Sequence, residues 1–193
     1  MKNGALYILI VTLLSCNGID QKAQLATQSM VLSGKSGQTA AFNQSFKKAL
    51  YGYYALKDQF ITEDESAIQS MATQLLKEVD SIQIKELNGD TAVMATAQSY
   101  IEGITAEIKG LIGEKDLESK RKSLQMIGEQ FYDLIRTIQY DQELIYHAYC
   151  PMAFNNNGAT WLSNSLTIRN PYLPKTMLNC GEVRDSIDFR RKQ

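Results

Sequence analysis

The chain has 193 residues, 44% hydrophobic and 21% charged, which suits one domain with a real core and leaves little room for a second. Its net charge of −1 gives neither a basic footprint for nucleic acid nor an acidic tail. A single histidine excludes His-rich metal cages and paired-His acid–base sites.

The first segment is read as an export signal. Lys2 supplies a short positive region, and Ala5 to Leu14 (ALYILIVTLL) is apolar apart from one Thr. At 1.5 Å rise per residue that run is about half the length needed to span a bilayer, so it fits a signal peptide and not a transmembrane helix. It ends at Leu13-Leu14-Ser15-Cys16, which resembles the lipobox of bacterial lipoproteins: an apolar residue, a small one, then the cysteine that is diacylated after cleavage. Residues 1–15 are therefore expected to be a lipoprotein signal, with Cys16 as the lipidation site. An ordinary signal peptide cut elsewhere, or a buried helix with a chance cysteine, is the plainer alternative. After Cys16 comes Asn17-Gly18-Ile19-Asp20, without the acidic run that some bacteria use to send lipoproteins to the outer surface. A periplasmic protein anchored to the envelope, on the inner face of the outer membrane, is the expectation.

Residues 16–39 are Gln-, Ser-, Gly- and Ala-rich and read as a lipidated flexible tether, with a reach of roughly 25 Å. Gly34-Lys35-Ser36 looks superficially like the end of a phosphate-binding loop. Ser29 stands where that motif needs its first glycine, and no strand pattern precedes it.

Four helical patterns follow over residues 40–139. The first, from about Ala41 to Phe60, carries Phe42, Phe46, Ala49, Leu50, Tyr53 and Phe60 at helical spacing. The second is expected to start at a capping box, Thr62-Glu63-Asp64-Glu65, with Ile68, Met71, Ala72, Leu75, Val79 and Ile82 as its stripe. Asn88-Gly89-Asp90 is a turn and cap for a third helix bearing Val93, Ala97, Tyr100, Ile101, Ile104, Ile108 and Leu111. Asp116 caps a fourth, with Leu124, Ile127, Phe131, Leu134 and Ile138. Short connections imply antiparallel neighbours, so the expected fold is all-α: an up-down-up-down four-helix bundle. Carboxylates such as Glu102 and Glu107 do not make a di-iron site, which needs Glu-x-x-His pairs, and no helix of the bundle holds a His.

Residues 140–183 differ in character. Tyr140 to Tyr149 reads as a short strand or a final helical turn. Beyond it Asn155-Asn156-Asn157-Gly158, Asn170-Pro171 and Pro174 are turn formers in a loop-rich, Cys-containing extension. This stretch holds the only Trp and all three prolines, too apolar for a disordered tail, and is expected to pack on the bundle through Trp161, Leu162, Tyr172 and Leu178. Residues 184–193 read as a polar tail.

The chemistry-bearing residues fall at the two ends of this extension: His147, Cys150 and Met152, then Met177 and Cys180. Thiolate, thioether and imidazole together favour a soft ion, Cu(I) before Zn(II). In an exported protein the same two cysteines also commonly join in a disulfide; closing a loop of ~30 residues would be worth about 3–4 kcal/mol in the chain-entropy model. Both readings stay open. No nucleophile–base pair, phosphate loop or metalloprotease motif marks an enzyme, so no catalytic residue is assigned.

The segments Tyr149-Cys150-Pro151-Met152-Ala153-Phe154-Asn155-Asn156, Gly158-Ala159, Trp161-Leu162-Ser163, Ile168-Arg169-Asn170-Pro171-Tyr172 and Met177-Leu178-Asn179-Cys180-Gly181-Glu182 resemble a bacterial family of exported domains of unknown function. Members of that family also occur fused to periplasmic adaptor subunits of heavy-metal efflux pumps. The resemblance implies metal binding, copper above all, at Cys150, Met152, Met177 and Cys180, with His147 just outside the motif. The resulting expectation is a lipid-anchored periplasmic protein that binds or delivers Cu(I) and partners the membrane and heavy-metal efflux components. The alternative is a non-catalytic structural or interaction domain stapled by Cys150–Cys180.

Overall fold

The computed structural model describes Met1 and residues 37–190. The expected signal, Cys16 and most of the tether lie outside the described residues. No helix among the described residues is long and apolar enough to cross a membrane.

Four long helices dominate: α1 (Ala40–Thr62), α2 (Glu65–Asp80), α3 (Thr91–Gly113) and α4 (Leu117–Ile138). Each begins where a short polar side chain takes up an orphan N–H. Thr39 accepts from Phe42, Asp64 from Ala67, Asp90 from Val93 and Asp116 from Ser119. Asp90 and Asp116 act as the sequence predicts. The cap of α2 is Asp64 and not Thr62, because α1 runs on through Thr62, whose hydroxyl donates to the Gln59 carbonyl. Glu63 then takes the left-handed conformation (φ 56°) that ends α1.

The expected stripes face the core, with Met71, Val93 and Tyr100 only partly buried, and α1 buries more than one stripe. Tyr54, Leu56 and Lys57 join Phe42, Phe46, Ala49, Leu50, Tyr53 and Phe60 inside. The reason is position: α1 meets α2, α4 and the C-terminal region, with the Phe131 ring of α4 tilted against both Phe46 and Tyr53. Hydrogen bonds tie the helix ends together in pairs. Ser45 near the start of α1 accepts the Gln83 amide just past α2, and Gln69 early in α2 donates to Ile112 late in α3. Residues 37–39, expected as tether, are instead fastened: Gly37 N–H to Asp141, Gln38 Nε2 to the Ile138 carbonyl, and Thr39 Oγ1 to the Glu86 carbonyl.

Among the described residues the C-terminal region has only two helical turns, Ala153–Asn156 and Pro174–Met177, and its first strand begins within Tyr140 to Tyr149, where a short strand is one of the two expectations. The region forms a three-stranded antiparallel sheet in the order β2-β1-β3, from β1 (Ile145–Cys150), β2 (Ala159–Ser163) and β3 (Glu182–Ile187). The fold is thus mostly helical with a small sheet, which corrects the all-α expectation. β3 occupies the start of the stretch read as a polar tail, and only Ile187 in it is fully buried. A strand with one buried side chain carries no alternating pattern to find. The sheet packs on α4 through β2, and Trp161, Leu162 and Tyr172 are buried as expected, whereas Leu178 is only partly so.

Candidate functional site

The strand register explains how two cysteines 30 residues apart meet. On the β3 side of β1, Tyr149 pairs with Glu182. Continuing that antiparallel register past its last rung sets Cys150 beside Gly181, and Cys180 is then the diagonal neighbour. The two Sγ atoms lie 2.7 Å apart, with the thiols free.

Each half of the pair has its own support. Cys150 ends the central strand, is wholly buried and belongs to the continuous core. Cys180 is half-buried in the loop ahead of β3, and that loop is organised by Asn170, itself fully buried. The Asn170 amide nitrogen Nδ2 donates to the Cys180 carbonyl (3.2 Å), its Oδ1 accepts from Tyr172 N–H (2.8 Å), and its own N–H reaches the Leu178 carbonyl (2.7 Å). Gly181 has φ 139°, and a Cβ there would stand 2.8 Å from the Tyr149 carbonyl oxygen and 2.9 Å from the Trp161 ring. Only glycine lets the backbone press this closely on β1. The Cys180 thiol is held above its ordinary value, first by its contact with the Cys150 sulfur and then by burial, while the Met152 backbone N–H opposes the shift.

Met152 and Met177 are 43% and 39% exposed, and they flank the cysteines in sequence, with Cys180 N–H bonded to the Met177 carbonyl. His147 is placed elsewhere. It lies three residues up β1 from Cys150, about 10 Å at the rise of a strand, and its ring stacks on Tyr132 of α4 at 4.2 Å. Burial pushes the His147 imidazole below its ordinary pKa; Asp185 and Glu129 oppose that shift, Arg184 adds to it, and Asp133 opposes it. Among the described residues no three His, Cys, Asp or Glu side chains converge as a metal-ligand group.

Ligand geometry separates the two chemistries. Two sulfurs on one ion at about 2.3 Å, the zinc–thiolate length, sit about 3.7 Å apart at a tetrahedral angle, whereas a disulfide needs ~2.05 Å. The observed contact lies nearer the second. Sequence reasoning found the pair but not Asn170 or Gly181, whose roles depend on the backbone path of the loop; Asn170-Pro171 signalled only a turn.

A further polar clamp fastens this region to the helices. Glu63 at the α1–α2 junction binds Arg121 of α4 (2.7 Å) and Lys175 of the helical turn Pro174–Met177, and Arg121 Nε also donates to the Pro171 carbonyl (3.2 Å).

The helices carry a family match. A DUF3347 domain, described as a protein of unknown function, is found at residues 49–143. The matched span begins inside α1 and stops short of β1, so it covers the helical part and leaves out both cysteines. No curated protein and no solved structure matches this chain.

Proposed function

We propose that this chain is a non-catalytic interaction module of the bacterial envelope, held to the membrane by a lipidated Cys16 and stapled by a Cys150–Cys180 disulfide. The single observation that carries the staple is the 2.7 Å approach of the two sulfurs. In this reading the helices form an up-down-up-down bundle. Its support is the two-residue junction between α1 and α2 and the pairing of Ser45 with Gln83 and of Gln69 with Ile112, which set the start of one helix beside the end of the next. The export assignment rests on the Ala5–Leu14 run and Leu13-Leu14-Ser15-Cys16. Mass spectrometry of the protein recovered from the envelope, alkylated before and after reduction, tests it. A mass lower by two hydrogens, with Cys150 and Cys180 alkylated only after reduction, is expected. Free thiols in the freshly isolated protein overturn the staple.

A second reading has one observation in its favour. The exposed Met152 and Met177 thioethers flank the thiol pair, a soft donor set for Cu(I) in a periplasmic carrier linked to heavy-metal efflux. It requires the sulfurs to open by about 1 Å. Titration of the reduced protein with Cu(I) against a chromogenic chelator decides it: stoichiometric binding that is lost in Cys150→Ala supports a carrier, and unchanged affinity in that variant rejects one.

A further inference from the structure

We infer that the Cys150–Cys180 pair is asymmetric in thiol–disulfide exchange: Cys180 is the sulfur that engages an external disulfide oxidant, and Cys150 resolves the mixed disulfide. This rests on the staple reading and adds a direction to it.

Access decides the order. Cys150 is fully buried at the end of the central strand, paired with Ala159 of β2 and part of the same core as Trp161. No external reagent reaches its sulfur without opening the sheet. Cys180 lies on the rim, half-buried, in a loop whose neighbours Pro151, Met152 and Met177 are all exposed. Those three side chains carry no charge, while the exposed Asn179 and Glu182 flank the same loop, so an incoming partner meets a mixed rim with one accessible sulfur.

The exchange balances as follows. Cys180, having lost its proton to solvent, attacks one sulfur of the oxidant R–S–S–R′; the oxidant S–S bond breaks, R′S⁻ leaves and is protonated, and Cys180 carries the mixed disulfide. The Cys150 sulfur, in contact with Cys180 at 2.7 Å, loses its proton and attacks Cys180 Sγ, expelling RS⁻. Two protein thiols are oxidised and one disulfide of the oxidant is reduced to two thiols. The resolving step needs little motion, because the attacking sulfur is already seated.

The test uses the full lipidated chain, so that Cys16 is acylated, in two variants, Cys150→Ala and Cys180→Ala. Each is exposed to oxidised glutathione under native conditions and followed by mass. Cys150→Ala is expected to accumulate a stable glutathione adduct at Cys180. Cys180→Ala is expected to react at Cys150 on the order of 100-fold more slowly, as a buried thiol does, and to catch up in denaturant. Equal or faster reaction of Cys150 overturns the inference. Should either variant fail to fold, brief sub-stoichiometric alkylation of the reduced wild-type protein gives the same answer by peptide mapping: label on Cys180 supports the order, and label on Cys150 rejects it. The staple fails separately, if the freshly isolated protein holds two thiols whichever cysteine reacts first.

Discussion

The Tyr53 hydroxyl of α1 accepts the backbone N–H of Leu162 in β2 at 3.1 Å, across 109 residues of chain and inside the core. β2 is an edge strand, paired only with β1, so its outward amides need partners elsewhere. Tyr53 supplies one, and in doing so fixes the sheet on the helices. Tyr53→Phe keeps the ring and leaves the Leu162 N–H dry. It is expected to cost about 1–3 kcal/mol in urea unfolding with an unchanged slope. A variant as stable as wild type removes this bond from the account of how sheet and helices hold together.

Gly128 of α4 is coupled to the same hydroxyl. A Cβ at Gly128 would stand 2.7 Å from the Tyr53 oxygen. In an open helix Gly→Ala is favourable by about 1 kcal/mol. Here Gly128→Ala is expected to destabilise, by pushing the hydroxyl off Leu162. Because both changes strike one hydrogen bond, Tyr53→Phe with Gly128→Ala should cost less than the two added separately. Additive costs in the double-mutant cycle would show that the methyl finds room elsewhere.

The caps at Asp90 and Asp116 and the apolar stripes were legible because each depends on residues within a turn or two of one another. The meeting of Cys150 with Cys180 was legible only as a possibility: sequence placed them at the two ends of one region, and the β1–β3 register brought them into contact. His147 was grouped with them by its distance along the chain. In a strand residues three apart point to opposite faces as well as lying well apart, and the register shift between His147 and Ala148 leaves Arg184 of β3 without an opposite residue on β1. β3 escaped notice because Glu182-Val183-Arg184-Asp185-Ser186-Ile187 presents mostly polar side chains to solvent, and its pairing is carried by the backbone.

Glu143 makes a pH prediction. It lies partly buried beside Tyr51, whose hydroxyl donates to it at 3.4 Å, and its other oxygen has no hydrogen-bond partner among the described residues; nor do the hydroxyls of Tyr54 and Tyr140. Burial raises the Glu143 pKa, opposed by Lys47 and by the Tyr51 hydrogen bond. A carboxyl raised in the folded state contributes stability that is full below its unfolded value and is lost as pH rises through the folded one. Glu143→Gln is therefore expected to be more stable than wild type near neutrality. The gap should close as pH falls toward the ordinary glutamate value of about 4.3. Stability measured across that window checks it, and a gap that widens on acidification reverses the sign.

The clamp at Glu63 makes the opposite one. Its carboxyl is held below the usual range, first by Lys175 and also by Arg121, against the cost of burial. A depressed carboxyl contributes stability that is full above its unfolded value and is lost as pH falls through the folded one. The partners are not equal. The Lys175 side chain is 77% exposed and Arg121 only 14%, and Arg121 also holds the Pro171 carbonyl. Lys175→Ala should cost at most about 0.5 kcal/mol, as an exposed ion pair does. Arg121→Ala strands a mostly buried carboxylate and frees the Pro171 carbonyl, and should cost about 2–3 kcal/mol. The loss should fall locally, as faster amide hydrogen exchange over residues 171–178, the segment that leads into Cys180. Exchange that speeds uniformly across α1 and α4 instead would mean that Arg121 supports the helices and not the loop.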